Sequence, residues 1–295
     1  MKVKTRFDST HFAPDPRSYY GGVMHGLEYR NAASSVPVFA AAWRTVTALR
    51  QPSAPAMLDM ASGYGVVSAL MRYNIALDEL LSRYVDPAIQ ALPASAVVAR
   101  DRAWFHESGM RAEAPRSIGL DISSEALTYG EEAGLFDAVF AEDLAEGSAS
   151  AALREALGDC VLMVEAGSIA HMAPRILTEL LAVCPEPKPW VLTAPVRGNH
   201  RAEAVEAMRA AGLVVERMPA RPFPVRRFVD ADEQARACAE VRRQGLDPSG
   251  IETTGYLHGC LFLARPADET DLPAMELLPA ELRSDDAGTA VREVS

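Results

Sequence analysis

The chain has 295 residues, 49% apolar and 23% charged, a balance that supports a sizeable core; the length suits one α/β domain with additions rather than two full domains. A net charge of −11, with no lysine–arginine cluster interleaved with aromatics, argues against nucleic acid, because phosphate binding needs a basic face. Met1-Lys2-Val3-Lys4 runs into Phe7-Asp8-Ser9 rather than an apolar signal core, and no run of 18 apolar residues could span a membrane. Cys160, Cys184, Cys238 and Cys260 have neither zinc-ligand nor dense-disulfide spacing. The expectation is a cytoplasmic protein with reduced thiols, no metal and a small-molecule partner.

Residues 1–53 read as an N-terminal cap or lid, polar at first and then helical over 36–49, where Val38, Phe39, Ala42, Trp43 and Val46 repeat at helical spacing. Residues 54–266 read as the main domain. A buried strand at 56–60 leads through a small-residue turn into a helix at 66–73, the opening of a nucleotide-binding βα unit. Residues 74–115 read as a helical insertion. Its apolar stripe Leu77, Leu80, Leu81 and Tyr84 could serve as a lid or as a homodimer contact.

Strands at 117–121, 138–141, 160–164 and 190–194 then alternate with helices at 123–133, 148–157, 174–183 and 201–211. This rhythm predicts a Rossmann-like three-layer sandwich around a mostly parallel, seven-stranded sheet. The rhythm breaks after that, with a strand at 213–218, a helix at 230–244 and a last strand at 256–263. Residues 267–295 turn acidic and aperiodic and read as a loosely held tail.

The turn Asp59-Met60-Ala61-Ser62-Gly63-Tyr64-Gly65 places small residues where a backbone must approach a ligand. It fits a dinucleotide fingerprint poorly, because the third glycine is missing. It resembles the first motif of class I S-adenosylmethionine (SAM)-dependent methyltransferases, an acid ending strand 1 followed by x-G-x-G-x-G, with Ala61 in the first glycine slot. Gly119-Leu120-Asp121-Ile122-Ser123 resembles the second signal, in which the acid accepts from both ribose hydroxyls. Phe140-Ala141-Glu142-Asp143-Leu144 resembles the third, with Asp143 the better candidate for the adenine amino group. Asp121 follows Asp59 by 62 residues where ~20 is usual, and the insertion accounts for the excess.

The resemblance implies SAM as cofactor and a binding set of Asp59, Ala61, Ser62, Gly63, Tyr64, Gly65, Asp121, Ile122, Glu142, Asp143, Leu144, Glu165 and Gly167. Ligands of open α/β sheets sit beyond the carboxyl ends of the strands, so the chemistry should lie after strands 4 and 5 or in the cap. His171, after strand 4, could act as a general base. In the cap, Gly21, Gly22 and Gly26 suit a hinged lid, and Tyr20, His25, Tyr29 and Asn31 could face the sulfonium or orient a reacting group. Phe223, Arg226, Arg227, Glu252, Tyr256 and His258 could wall a substrate pocket, with either arginine clamping a carboxylate or pairing structurally with a glutamate.

What this implies for function is O- or N-methylation of a small molecule in specialised metabolism. Two alternatives stand beside it. One is cyclisation of SAM itself to azetidine-2-carboxylate and methylthioadenosine, and the other is a non-catalytic SAM-binding protein.

Overall fold

A computed structural model describes residues 10–169, 171–199 and 202–284. The strands are β1 (Ala56–Met60), β2 (Arg116–Asp121), β3 (Ala138–Ala141), β4 (Cys160–Glu165), β5 (Trp190–Thr193), β6 (Leu213–Arg217), β7 (Phe223–Arg227), β8 (Tyr256–Gly259) and β9 (Phe262–Pro266). Seven of them form one sheet in the order β3-β2-β1-β4-β5-β9-β6, parallel except for β9, which runs antiparallel to both neighbours. The order reverses between β1 and β4. Carboxyl ends of adjacent strands diverge at such a switch point and leave a crevice for a ligand.

The helices are α1 (Asn31–Arg50), α2 (Val66–Arg72), α3 (Leu77–Arg83), α4 (Pro87–Gln90), α5 (Ala94–Ser108), α6 (Ser124–Glu132), α7 (Ala151–Ala156), α8 (Pro174–Val183), α9 (Ala202–Ala210) and α10 (Ala231–Arg243). Alternation along the central strands sorts them into two layers. Met57, Leu162 and Val164 pack with α1, α2 and α6, whereas Leu58, Met163 and Val191 pack with α7, α8 and α9. The result is the three-layer Rossmann-like sandwich that the strand–helix rhythm predicts. Ser123, Ser150 and Asp230 cap α6, α7 and α10 through their side-chain oxygens, which explains where those helices start.

Several expectations change. The first long helix begins at Asn31, not residue 36, and carries Pro37 in its interior. Proline removes one N–H from the ladder there, which is why the pattern suggests a start at that point. α1 lies against β4 and β7 as part of a sandwich layer, so it is not a lid. The single strand expected at 256–263 is two: β8 pairs with β7 in a separate ribbon, and β9 enters the main sheet. Residues 267–284 of the expected loose tail are packed, with Leu277 and Leu278 buried and Glu269 accepting from Arg50 and from the Trp190 indole. Residues 285–295 lie outside the described residues.

The insertion is helical, but its apolar stripe faces inward. Leu77, Leu80, Leu81 and Tyr84 are buried against a π-helix at Arg17–His25, so that stripe offers no free surface for a second copy. Gly21 makes this approach feasible, since a Cβ there would stand 2.4 Å from the Tyr84 carbonyl oxygen. It is a contact point between backbones, not a hinge.

A buried polar node ties the insertion to the sheet layer. Asp101 accepts from the hydroxyls of Tyr84 (2.7 Å) and Tyr129 (3.0 Å) and from Arg83 (2.9 Å). Replacing it leaves a half-buried guanidinium and two buried hydroxyls without this acceptor. Asp101→Ala is expected to lower stability by about 3–5 kcal/mol, read as a shift of the urea unfolding midpoint.

Candidate functional site

The β1–α2 turn is held open by its own backbone. Ala61, Gly63 and Gly65 all have positive φ (50°, 51° and 82°), and a Cβ on Gly65 would press on Phe136 at 2.9 Å. Alanine reaches that conformation at a cost of ~1–2 kcal/mol. Ser62 N–H donates to the Leu120 carbonyl, and Gly63 N–H donates to Asp121 Oδ2 at 2.9 Å. The other Asp121 oxygen accepts from Ser123 N–H at 2.9 Å. Asp121 thus fixes the turn from the neighbouring strand end while each of its oxygens keeps a further lone pair.

A cavity of about 670 Å³ opens at this turn. Its walls include Asp59, Ala61, Ser62, Gly63 and Tyr64 from the turn, and Tyr20, Tyr29 and Asn31 from the N-terminal region. Gly167 and His171 come from the loop after β4, and Val225, Glu233 and Arg236 from β7 and α10. Four of the five candidate catalytic residues therefore share one space. The fifth, His25, is exposed at the end of the π-helix and does not line it, because that helix turns Tyr20 and Met24 inward instead.

Asp59 is buried, with its carboxylate accepting from Ser68 Oγ (2.8 Å) and Ser68 N–H (3.3 Å). Ser68 Oγ in turn lies 2.7 Å from Ser117 Oγ. Burial outweighs these hydrogen bonds and pushes the Asp59 carboxyl up to about 7. Burial also raises the hydroxyls of Tyr20 and Tyr29 well above their ordinary value and takes Tyr19 to about 12, so these side chains act as neutral hydrogen-bonding groups and aromatic faces.

Glu165 does not fit the cofactor role expected of it. Its buried carboxylate accepts from Ser168 N–H (2.7 Å) and Oγ (3.0 Å), Ile169 N–H (3.0 Å) and Ala194 N–H (3.0 Å), and desolvation raises its pKa. With its oxygens committed, Glu165 shapes the β4 and β5 loops. Those loops bring Gly167 (φ 96°) against Asn31, where a Cβ would stand 2.9 Å from the Asn31 amide nitrogen. Asn31 Nδ2 donates to the Ala194 carbonyl at 3.1 Å.

Glu142 accepts from Ser150 N–H and Oγ at the start of α7, one bond on each oxygen, and Leu144 is buried in the α7–α9 layer. Asp143 Oδ1 accepts from Ala145 N–H. Ile122 is 57% exposed beside Asp121. Asp121 and Ile122, at the end of β2, and Asp143, after β3, do not line the cavity.

Three polar atoms of residues lining the cavity are buried without a hydrogen-bond partner among the described residues: Tyr20 Oη, Asn31 Oδ1 and Ser62 Oγ. An orphaned buried polar atom costs ~1–3 kcal/mol, so three at one cavity point to a polar ligand. Aromatic rings crowd the same place, with Tyr19, Tyr20 and Tyr64 centroids 6.0–6.2 Å apart and the His11 ring 4.1 Å from that of Tyr19 at a 45° tilt. His11 belongs to a strap missed in the sequence. The Tyr64 hydroxyl holds that strap, lying 2.9 and 2.8 Å from the Thr10 and Ala13 carbonyls, and Ser123 Oγ donates to the His11 carbonyl at 2.5 Å.

On the outer wall, both arginines foreseen as carboxylate clamps are paired structurally. Arg226 makes a two-pronged pair with Glu233 at 2.7 and 2.9 Å, and Arg227 pairs with Glu28. Glu252 is buried against Arg197, the Tyr256 ring lies under Arg30 and Arg227, and His258 Nδ1 sits 3.1 Å from the Tyr256 carbonyl oxygen. Arg236, a cavity residue, was not legible in the sequence; only its i+3 spacing from Glu233 on the predicted helix hinted at it. Among the described residues, no group of His, Cys, Asp and Glu is arranged to hold a metal, no helix is long and apolar enough to cross a membrane, and the four cysteines are buried thiols.

No protein-family profile and no curated protein matches the chain. Solved structures similar to it include the YcgJ protein from Bacillus subtilis, at 10% identity over 77% of this chain and 97% of that one, with a TM-score of 0.42. A plantazolicin methyltransferase, BpumL, solved with a triazolic desmethylPZN analog and SAH, is 8% identical over 88% of this chain and 98% of that one, with a TM-score of 0.40. The 4+2 cyclase SpnF is 13% identical over 76% of this chain and 80% of its own, with a TM-score of 0.35. Likenesses of this strength carry nothing of what those proteins bind or do over to this chain.

Two outcomes follow from the turn itself. Ala61→Gly is expected to stabilise the protein by about 1 kcal/mol by relieving the positive φ, read as a raised Tm. For Asp59, the folded carboxyl holds its proton to about pH 7 whereas the unfolded one loses it near pH 3.8, so rising pH between these values favours unfolding. Stability measured by urea unfolding should therefore fall from pH 5 to pH 7 through this group, and Asp59→Asn should flatten that part of the profile.

Proposed function

We propose that the chain binds SAM at the β1–β2–β4 strand ends and transfers its methyl group to an oxygen or nitrogen of a small molecule. The observation that carries the reading is the orphaned set Tyr20 Oη, Asn31 Oδ1 and Ser62 Oγ, at one cavity beside the glycine turn. An amide oxygen accepts from an ammonium, and hydroxyls donate to a carboxylate. Together they match the α-amino acid end of SAM, so the buried atoms fit the proposed group.

The other parts of the cofactor find matching chemistry. Asp121 keeps lone pairs for a ribose diol, and exposed Ile122 beside it offers an apolar platform. The Tyr19, Tyr20 and Tyr64 rings suit a sulfonium, which is attracted to aromatic faces as other cations are. When bound, SAM supplies a methyl group already activated by its sulfonium. The protein's remaining tasks are alignment and exclusion of water.

Methyl transfer is favoured over cyclisation of the cofactor by the extent of the cavity. Asp121, Ile122 and Asp143 do not line it, so its 670 Å³ serves the methionine end and whatever lies beyond, out to β7 and α10. That leaves room for an acceptor. His171 lines the cavity from the loop after β4, and in this reading it takes the proton that the acceptor sheds.

Calorimetry with S-adenosylhomocysteine (SAH) and with methylthioadenosine, which lacks the amino acid end, tests the assignment. Asn31→Ala is expected to weaken SAH at least about tenfold while leaving methylthioadenosine nearly unchanged, and Asp121→Ala should weaken both. Absence of SAH binding to the native chain would overturn the cofactor reading. SAM incubated with the protein alone should stay intact, and methylthioadenosine accumulating without an acceptor would replace methyl transfer by cyclisation.

A further inference from the structure

The acceptor wall carries a charge that the protein itself leaves uncommitted. Val229, just before α10, and Glu233 and Arg236, three residues apart on the helix, line the cavity, while Cys238 and Val241 bury another side of the same helix. The Glu233 carboxylate is saturated by the Arg226 fork and by Val229 N–H at 2.7 Å. Although burial raises its pKa, the Arg226 pair brings Glu233 below the usual carboxylate value, so the pair is ionic and self-cancelling. Asp230 caps α10, accepting from Glu233 N–H at 2.8 Å, where the helix N-terminus favours negative charge. Arg236 is different: it makes no hydrogen bond or ion pair among the described residues. Besides these charged groups, the same cavity presents the apolar side chains of Val196, Val225, Val229 and Leu257.

We propose that the acceptor is a small molecule with an apolar body and a carboxylate, and that Arg236 takes the carboxylate. This rests on the methyl-transfer reading of the cavity. A guanidinium presents paired N–H donors that match a carboxylate edge to edge, and a fixed cation in a chain of net charge −11 selects an anion locally against the surrounding field. Arg226 lines the same cavity but is already forked onto Glu233, so it shapes the wall and leaves recognition to Arg236. The carboxylate is a handle that orients the acceptor, and the four apolar side chains exclude water from its body.

The test uses the full chain, with and without SAH, and matched acid and amide probes titrated by calorimetry: benzoate against benzamide, phenylacetate against phenylacetamide, and phenyl phosphate. The acids are expected to bind at least about tenfold tighter than their amides, and added salt should weaken only the acids. Arg236→Ala should erase the preference while SAH still binds, and Arg236→Lys should restore part of it. The proposal is overturned if the native chain does not prefer the acids, if the preference survives Arg236→Ala, or if phenyl phosphate outcompetes every carboxylate. SAH affinity is read separately, so loss of SAH binding counts against the cofactor reading, and the acid preference is still measured without SAH.

Discussion

The buried carboxylate of Glu165 sets the geometry on which the site depends. A carboxylate has no place in an apolar interior unless its lone pairs are filled, and here four donors from two loops fill them. The loops after β4 and β5 are thereby fastened to one point at the end of the central strand. Gly167 then stands so close to Asn31 that only a glycine fits, and the Ala194 carbonyl faces the Asn31 amide. The N-terminus of α1 is positioned by these contacts, and with it the wall of the cavity. An acid read as a ligand-binding residue thus acts one step earlier, by building the wall that meets the ligand.

The same logic explains why the N-terminal region is part of the body. Its π-helix buries Tyr20 and Met24 and abuts the insertion at Gly21, and Arg17 reaches the carbonyls of Ile89, Gln90 and Leu92. On the other side Glu28, itself at positive φ, accepts from Arg30, Arg227 and the Tyr256 hydroxyl, while Arg30 and Arg227 flank the Tyr256 ring at 5.2 and 5.1 Å. Backbone bonds from Arg30 to Val225 and from Arg227 to Leu27 lace the same seam. Exposed ion pairs contribute little singly, but this one is a network with aromatic and backbone members. The cavity roof is therefore fastened at both ends.

How much of this was legible in the sequence depended on the range of the interaction. The strands, the capped helices and the glycine turn follow from local patterns, and Asp121 could be found because it sits at a strand end in a fixed phrase. Glu165 obeys the same positional rule, yet its carboxylate is taken up by the Ser168–Ile169 turn and Ala194, and Glu142 turns to Ser150 at the start of α7. Position along the chain does not reveal which partner reaches an acid first. The buried end of residues 267–284 failed for a related reason: acidic, proline-containing composition hides the few apolar residues that dock, and the Arg50–Glu269 contact spans 219 residues. Arg226 stands out in the sequence as a clamp and Arg236 does not, and only the three-dimensional pairing with Glu233 separates the structural arginine from the uncommitted one.

That separation gives the cavity two unlike ends. At the glycine turn the polar atoms are few, fully buried and rigidly placed, with Asn31 and Ser62 fixed by their backbone and Tyr20 packed among rings. Such a surface penalises any ligand that cannot satisfy each atom, and so it suits one invariant group. At α10 there is an exposed guanidinium on a long side chain in a cavity that also has aliphatic walls, and on the proposed reading it accommodates acceptors of different shape provided they carry an anion. In that reading the preorganised end holds the donor, which is constant, and the adaptable end holds the acceptor, whose charged handle brings its nucleophile into line with the donor.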